Sequence, residues 1–242
     1  MSQYLSGILA KYAVGTAHVN QLRAALIPSI LKWANGHLVS MDLSGSIMKG
    51  TAVRTGTDTD FFLSLKSTTP ATLKQIYDTL FAALQQSGFS PVRQNVSIGV
   101  AVNGHRVDIV PGRRHEAQGS DHSLHVSKRK TWVQTNVNTH VNHVAGSGRT
   151  NEIRLTKIWR DLWGLQFPSF YLELVVIDAL TGCTHGQLAS NFWEVLRFLC
   201  QDFTGRVYYD PANTNNCISD DLTVQERQAI ATAACRARAS GL

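Results

Sequence analysis

Residues 43–65, LSGSIMKGTAVRTGTDTDFFLSL, constrain the fold of this 242-residue chain more than any other stretch. They carry a Gly45-Ser46 turn, a short Lys49-Gly50-Thr51 segment, and then Asp58 and Asp60 leading into an apolar run that ends at Leu65. Side chains alternate along a strand, so Asp58 and Asp60 face one side, roughly 6.6 Å apart. That spacing lets both carboxylates reach a shared metal site, and a pair of Mg²⁺ ions about 3.5–4 Å apart is what in-line phosphoryl displacement uses. The turn just upstream offers backbone N–H groups and a hydroxyl to a triphosphate.

A third ligand follows later. Val92 to Val102 and His105 to Val110 read as two strands joined by Asn103-Gly104, a strong hairpin signal. In the second strand Arg106, Asp108 and Val110 share one face, while Val107 and Ile109 share the other. Asp108 is then central in a strand, where an unpaired charge is costly, and a metal held with Asp58 and Asp60 supplies its partner.

The rest of the first half supports such a sheet. Residues 4–34 read as helix, with stripes at Leu5, Ile8, Leu9 and Tyr12 and at Val19, Leu22, Leu26, Ile30 and Trp33. Gly15 and Pro28 are its candidate breaks, and Asn35-Gly36 closes it. His37 to Leu43 and Thr59 to Leu65 read as strands. Thr69-Pro70 is expected to cap a helix whose face is Leu73, Ile76, Tyr77, Leu80 and Leu84, ending near Gly88.

From Pro111 to Gly148 the chain turns polar. The basic clusters at 113–114 and 128–130 read first as solvated loops, with RNA or acceptor-phosphate binding as the alternative, and His122 and His125 as surface residues. Helices follow. In 153–163, Leu155, Ile158, Trp159 and Leu162 form an apolar side that leaves Lys157 and Arg160 on the opposite face, a position that fits either a solvated lysine or a functional one. Pro168 opens a helix through Leu180, and another runs from Gln187 to Phe203. Asp210 and the asparagines of DPANTNNCISDDL are expected to bond their own loop backbone. Thr223 then caps a last helix, with Glu226 completing a capping box. The expected division is 1–112, a catalytic lobe including an N-terminal spine helix; 113–150, a polar connection; and 151–242, a helical nucleotide-binding lobe.

At 43% hydrophobic residues the chain can bury a substantial core, and a net charge of +6 suits an anionic ligand. Cys183, Cys200, Cys217 and Cys235 contain no C-x-x-C pair, which points to reduced thiols in a cytoplasmic protein. Cys183 and His185 find no second ligand pair, so zinc is not expected. The first residues lack the basic and apolar regions of a signal peptide, and no apolar run is long enough to span a membrane.

The set Gly45-Ser46, Lys49-Gly50-Thr51, Asp58-Thr59-Asp60 and Asp108 resembles the DNA-polymerase-β-like nucleotidyltransferases. Further on, RLTKIWRDL, FPSFYLELVVIDAL and DPANTNNCISDDL are similar to the helical lobe of 2′-5′-oligoadenylate synthases, of bacterial cyclic oligonucleotide synthases related to cyclic GMP–AMP synthase, and of archaeal CCA-adding enzymes. The resemblance covers residues 15–235. It implies an α+β fold: a polymerase-β-like lobe with a mixed β-sheet flanked by helices, packed on a helical second lobe with the active-site cleft between.

It also implies a site. Asp58, Asp60 and Asp108 would bind two Mg²⁺ (or Mn²⁺) ions. Gly45, Ser46, Lys49, Thr51 and Lys157 would line the triphosphate, ATP being the first choice. Ser169 would support phosphate, and Phe170 or Tyr171 would stack on the base. The implied product is a cyclic or linear oligonucleotide messenger in bacterial antiphage defence, with an RNA or protein activator, a downstream effector that binds the product, and no membrane. Two other readings stand beside it: a terminal transferase acting on RNA or tRNA 3′ ends, and a non-catalytic nucleotide sensor. Three costly clustered carboxylates speak against the sensor.

Overall fold

The computed structural model describes residues 2–56, 58–128 and 130–240; Arg129 of the second basic cluster lies outside the described residues. In chain order the elements are α1 (Ser2–Lys11), α2 (Val19–Ala34), β1 (Leu38–Leu43), the single turn α3 (Gly45–Met48), β2 (Thr59–Leu65) and α4 (Leu73–Gln86). Then come β3 (Val92–Arg93), β4 (Ile98–Val102), β5 (His105–Arg114), β6 (His122–Val126), β7 (Thr131–Thr135) and α5 (Val137–Ala145). The remainder is α6 (Thr150–Leu162), α7 (Ser169–Ala179), α8 (Leu188–Gln201), β8 (Tyr209–Asp210), β9 (Asn213–Cys217) and α9 (Val224–Ala239).

These elements form two units, each discontinuous in sequence. The sheet unit is Gly15–Met48 with Asp58–Val141, and the helical unit is Met1–Val14, Lys49–Thr57 and Asn142–Leu242. This differs from the linear boundaries expected at 112 and 150. The stretch read as a polar connection supplies β6 and β7, which extend the sheet from β5. Leu124 and Val126 are buried there although their neighbours are polar.

In the sheet unit, among the described residues, seven strands join in the path β1-β2-β5-β4-β3, with β6 on β5 and β7 on β6. β2 and β5 are parallel and the other pairs antiparallel, so the sheet is mixed, as expected. Strand alternation sets its two faces. Phe61, Leu63, Val107 and Ile109 pack with Leu22, Leu26 and Ile30 of α2 and Tyr77, Leu80 and Leu84 of α4. Asp60 and Asp108 therefore stand on the opposite face.

Several local expectations shift. The helix read over 4–34 is two helices, α1 and α2, separated by a segment containing Gly15, while Pro28 is accommodated inside α2. The cap of α4 is Thr72, not Thr69: Thr72 Oγ1 accepts from Gln75 N, and the Gln75 side chain reaches back to Thr72 N. The strand read over 92–102 breaks at residues 94–97, where the buried Tyr77 hydroxyl accepts from Gln94 N (3.0 Å) and contacts the carbonyls of Gln94 and Ser97 (2.9 Å each).

The helical unit has its own core, in which Leu5 and Leu9 of α1 join Val53, Ile158, Val175, Leu196 and Ala234. The Thr223–Glu226 capping box on α9 is present as expected. So is the self-bonded loop: Asp210 Oδ1 accepts from Ala212 N, and Asn213 Oδ1 from Asn215 N. The expectation of four reduced thiols is corrected, because Cys200 on α8 and Cys235 on α9 form a disulfide, whereas Cys183 and Cys217 are free. Two helices packed side by side bring cysteines 35 residues apart to a Cα separation of 4.9 Å, which spacing along the chain does not reveal. Among the described residues no helix is long and apolar enough to cross a membrane.

Candidate active site

Asp60 and Asp108 are in-register partners on the parallel strands β2 and β5. Asp58 lies two residues before Asp60, half-buried, with Arg106 Nε 3.4 Å from its Oδ1. Burial, and then the nearby Asp58 charge, push the Asp108 carboxyl above the usual aspartate value. A bond from Gln94 Nε2 to Asp108 Oδ1 (2.8 Å) opposes that rise. Ser97 Oγ is 3.5 Å from Asp108 Oδ2, yet its single proton has a shorter path to Gln94 Oε1 at 2.8 Å. A chain of contacts thus runs from buried Tyr77 through residues 94–97 to Asp108. Gly99 leaves room for it, since a Cβ there would meet Gln94 Nε2 at 2.7 Å and Asp108 Oδ1 at 3.2 Å. Gln94 and Ser97 were not picked out from sequence, where nothing marks a polar loop residue as a carboxylate partner.

Gly45 is the other fixed point. Its φ is +61°, and a Cβ at this position would overlap the Asp60 carboxylate. Only glycine lets the turn close over Asp60 without strain. Ser44 fastens the same corner, its N–H donating to Asp60 O at 2.8 Å. Ser46 follows within α3, half-buried.

The remaining predicted residues lie in the helical unit, where Lys157 and Arg160, opposite the apolar stripe, are 2% and 9% exposed. Their burial has a physical cause: α6 is packed by α1, α7 and α8, so more than one side of it is covered. Lys157 Nζ donates to Glu173 Oε1 (2.7 Å), Thr51 Oγ1 (3.0 Å) and Thr51 O (3.3 Å), matching its three protons. Lys49 Nζ donates to Glu173 Oε2 at 2.5 Å, and Thr51 Oγ1 to Glu173 Oε1 at 2.7 Å. Burial pushes Lys157 below the usual lysine value, because one carboxylate does not neutralise two ammonium groups. Burial alone would raise Glu173, but Lys157 and Lys49 together hold it below the ordinary glutamate range.

Ser169 Oγ accepts from Arg160 Nη1 at 3.0 Å. Phe170 is partly buried, its ring centroid 5.0 Å from Lys49 Nζ. Tyr171 is fully buried against Phe167, Phe203 and Tyr208, which leaves no face of its ring for a base. Glu173, the centre of this cluster, was missed. Its signal was a lone carboxylate inside the apolar run FYLELVV, a position that requires a partner.

Among the described residues, no group of three or more His, Cys, Asp or Glu side chains is gathered closely enough to hold a metal ion. Asp60 and Asp108 share a sheet face and Asp58 lies just before β2: Asp58 leans to Arg106, Asp60 lies under Gly45, and Asp108 is bonded to Gln94.

No family model matches the chain, and no curated protein matches it in sequence. Solved structures do match. The Bradyrhizobium diazoefficiens CD-NTase CdnG in complex with GTP superposes with a TM-score of 0.73 at 16% identity, covering 93% of this chain and 85% of that one. The Elizabethkingia meningoseptica CdnE cyclic dinucleotide synthase, solved with GTP and Apcpp, gives 0.71 at 14% identity over 92% of each chain. The fold is that of the CD-NTases. E. coli MS115-1 CdnC, solved with ATP, gives 0.68 at 24% identity over 90% of this chain and 81% of its own, and has also been solved in complex with HORMA-deltaN. The expected α+β architecture with a mixed sheet is therefore the CD-NTase one. At these identities the likeness is one of fold.

Proposed function

We propose that the protein is a nucleotidyltransferase that joins nucleoside triphosphates into a cyclic or linear oligonucleotide messenger of the kind used in bacterial antiphage defence. The observation that carries this reading is the in-register pair Asp60 and Asp108, on one sheet face with Asp58 two residues away and Gly45 closed over Asp60, in a chain with the CD-NTase fold.

The donor set fits two Mg²⁺ (or Mn²⁺) ions by its chemistry: hard carboxylate oxygens on adjacent strands. When bound, such ions supply the positive charge that a triphosphate and an ionising hydroxyl require. Asp108 accepts the proton of the attacking hydroxyl at Oδ2, the oxygen that Gln94 does not engage. The hydroxyl oxygen bonds to the α-phosphorus, the bond from that phosphorus to the bridging oxygen breaks, and pyrophosphate leaves with the electron pair. Ser46 and the N–H groups of its turn hold the phosphates. Gln94 keeps Asp108 in one orientation. Lys49, Thr51 and Lys157 are assigned to fixing segment 49–57 on Glu173 rather than to phosphate, since Glu173 and Thr51 already take the three protons of Lys157 and Glu173 holds Lys49. The substrates are nucleoside triphosphates, with ATP the first to test. The CdnC complex with HORMA-deltaN supports a protein as activator.

The test uses each labelled triphosphate with Mg²⁺ or Mn²⁺, with and without RNA, followed by phosphatase. A small phosphatase-resistant product, absent with Asp58→Ala or Asp108→Ala, is expected. Label found only on RNA 3′ ends would replace the reading with a terminal transferase. Triphosphate binding without turnover in any condition, including added partner protein, would replace it with a nucleotide sensor.

A further inference from the structure

The sheet unit holds a cavity away from the aspartates. It measures ≈ 910 Å³ and lies between the first turn of α4 and the β6–β7 hairpin, lined by Lys74, Arg93, Arg113, Lys130, His125 and Trp132 among others. Along β5 alternate residues point to opposite faces, and Arg113 shares the face of Val107 and Ile109, opposite Asp108. The cavity is therefore separate from the candidate active site.

Four basic side chains line it against one carboxylate, Asp78. Three of them have fixed partners. Arg113 Nη1 donates to Ala71 O at 2.9 Å, and Arg93 lies 4.3 Å from the Phe81 ring centroid while donating to Asp78 at 2.6 Å. Lys74 shares Asp78 and is 71% exposed. Beside these charges is an indole that the fold leaves uncovered: Trp132, 59% exposed, directly across from His125 in the β6–β7 register. Preset cations next to an open aromatic face are the two parts of a site for a phosphorylated ring compound, the ring stacking and the phosphate meeting the cations. A concave volume of this size, within the usual range for small-ligand pockets, favours a small molecule over a polymer track.

We propose that this cavity is a second, non-catalytic nucleotide site, in which Trp132 stacks on the base and Lys74, Arg93, Arg113 and Lys130 receive the phosphate. The reading is independent of the transferase chemistry.

The probes are AMP, GMP, CMP and UMP, each titrated by calorimetry into the full chain with a chelator present, with adenosine and pyrophosphate as controls. At least one monophosphate is expected to bind saturably, more tightly than either control. Its affinity should fall on the order of tenfold in Trp132→Ala, fall further in Lys74→Glu/Lys130→Glu, and survive in Asp60→Asn. The paired lysine variant changes only exposed side chains, so it reports on binding even where the tryptophan variant melts early. Absence of saturable binding by every monophosphate would overturn the proposal. So would binding that is lost in Asp60→Asn yet unchanged in both cavity variants. Single-stranded RNA binding far more tightly than any monophosphate, with a steep salt dependence, would overturn it in favour of a polymer track.

Discussion

At the scale of single residues, the sheet unit depends on an atom that is absent. Gly45 has φ +61° and lies against Asp60, so Gly45→Ala adds both left-handed strain and overlap with a carboxylate. We expect a loss of about 1–3 kcal/mol in urea unfolding, and loss of product formation because Asp60 must move. Glu173 is the opposite case, a charge that must be present. In Glu173→Gln two ammonium groups keep their places without a counter-charge, and removing one partner of a buried ion pair costs about 3–5 kcal/mol. The effect depends on pH. Glu173 is held below the ordinary glutamate value, so its contribution is complete above the unfolded value and is lost as pH falls through the folded one. Melting temperatures measured from neutral to acid pH should show the gap between wild type and Glu173→Gln narrowing on the acid side. A constant gap would mean that Glu173 acts by packing alone.

At the scale of elements, the joint between α8 and α9 rests on the Cys200–Cys235 bond as well as on packing. Reduction should destabilise the chain by roughly 2–4 kcal/mol, seen as a lower melting temperature in reductant. Cys200→Ser should start at that lower value and not respond to reductant. What the sequence made legible follows from how local each signal is. β2 and its Asp58-x-Asp60 pattern, the Asn103-Gly104 hairpin, the α9 capping box and the bonds within 210–216 are each set by neighbours in the chain, and each appears in the structure. The break at 94–97, the disulfide and the burial of Lys157 depend on residues far away in sequence: Tyr77, Cys235, and Thr51 with Glu173. Periodicity places an apolar stripe but carries no information on how many sides of α6 are covered, so Lys157 and Arg160 read only as lying opposite that stripe, not as buried. The candidate site divides the same way. The carboxylates and Gly45 were readable, whereas Gln94, which orients Asp108, belongs to a turn that exists only because Tyr77 holds it.

At the scale of the whole molecule, each unit is assembled from separate pieces of chain. Residues 15–141 contain every member of the sheet unit's main core, from Leu22 to Ile109. Residues 151–242 lack Leu5, Leu9 and Val53, which belong to the helical core, and the Leu9 carbonyl that accepts from Arg154 at 2.9 Å. As isolated fragments, 15–141 should unfold cooperatively on heating, followed by circular dichroism, while 151–242 should show helix with a broad, shallow melt. A sharp transition in 151–242 would show that α1 and Val53 are dispensable. The same arrangement bears on biosynthesis. A ribosome releases α1 before the sheet unit, and the helices that cover Leu5 and Leu9 are not made until after residue 142. At roughly 5–20 residues per second the nascent α1 waits seconds, exposed, while the sheet unit completes behind it. A helix made ahead of the whole sheet unit is thus buried after it, and in a cell it is the natural point of contact for a chaperone.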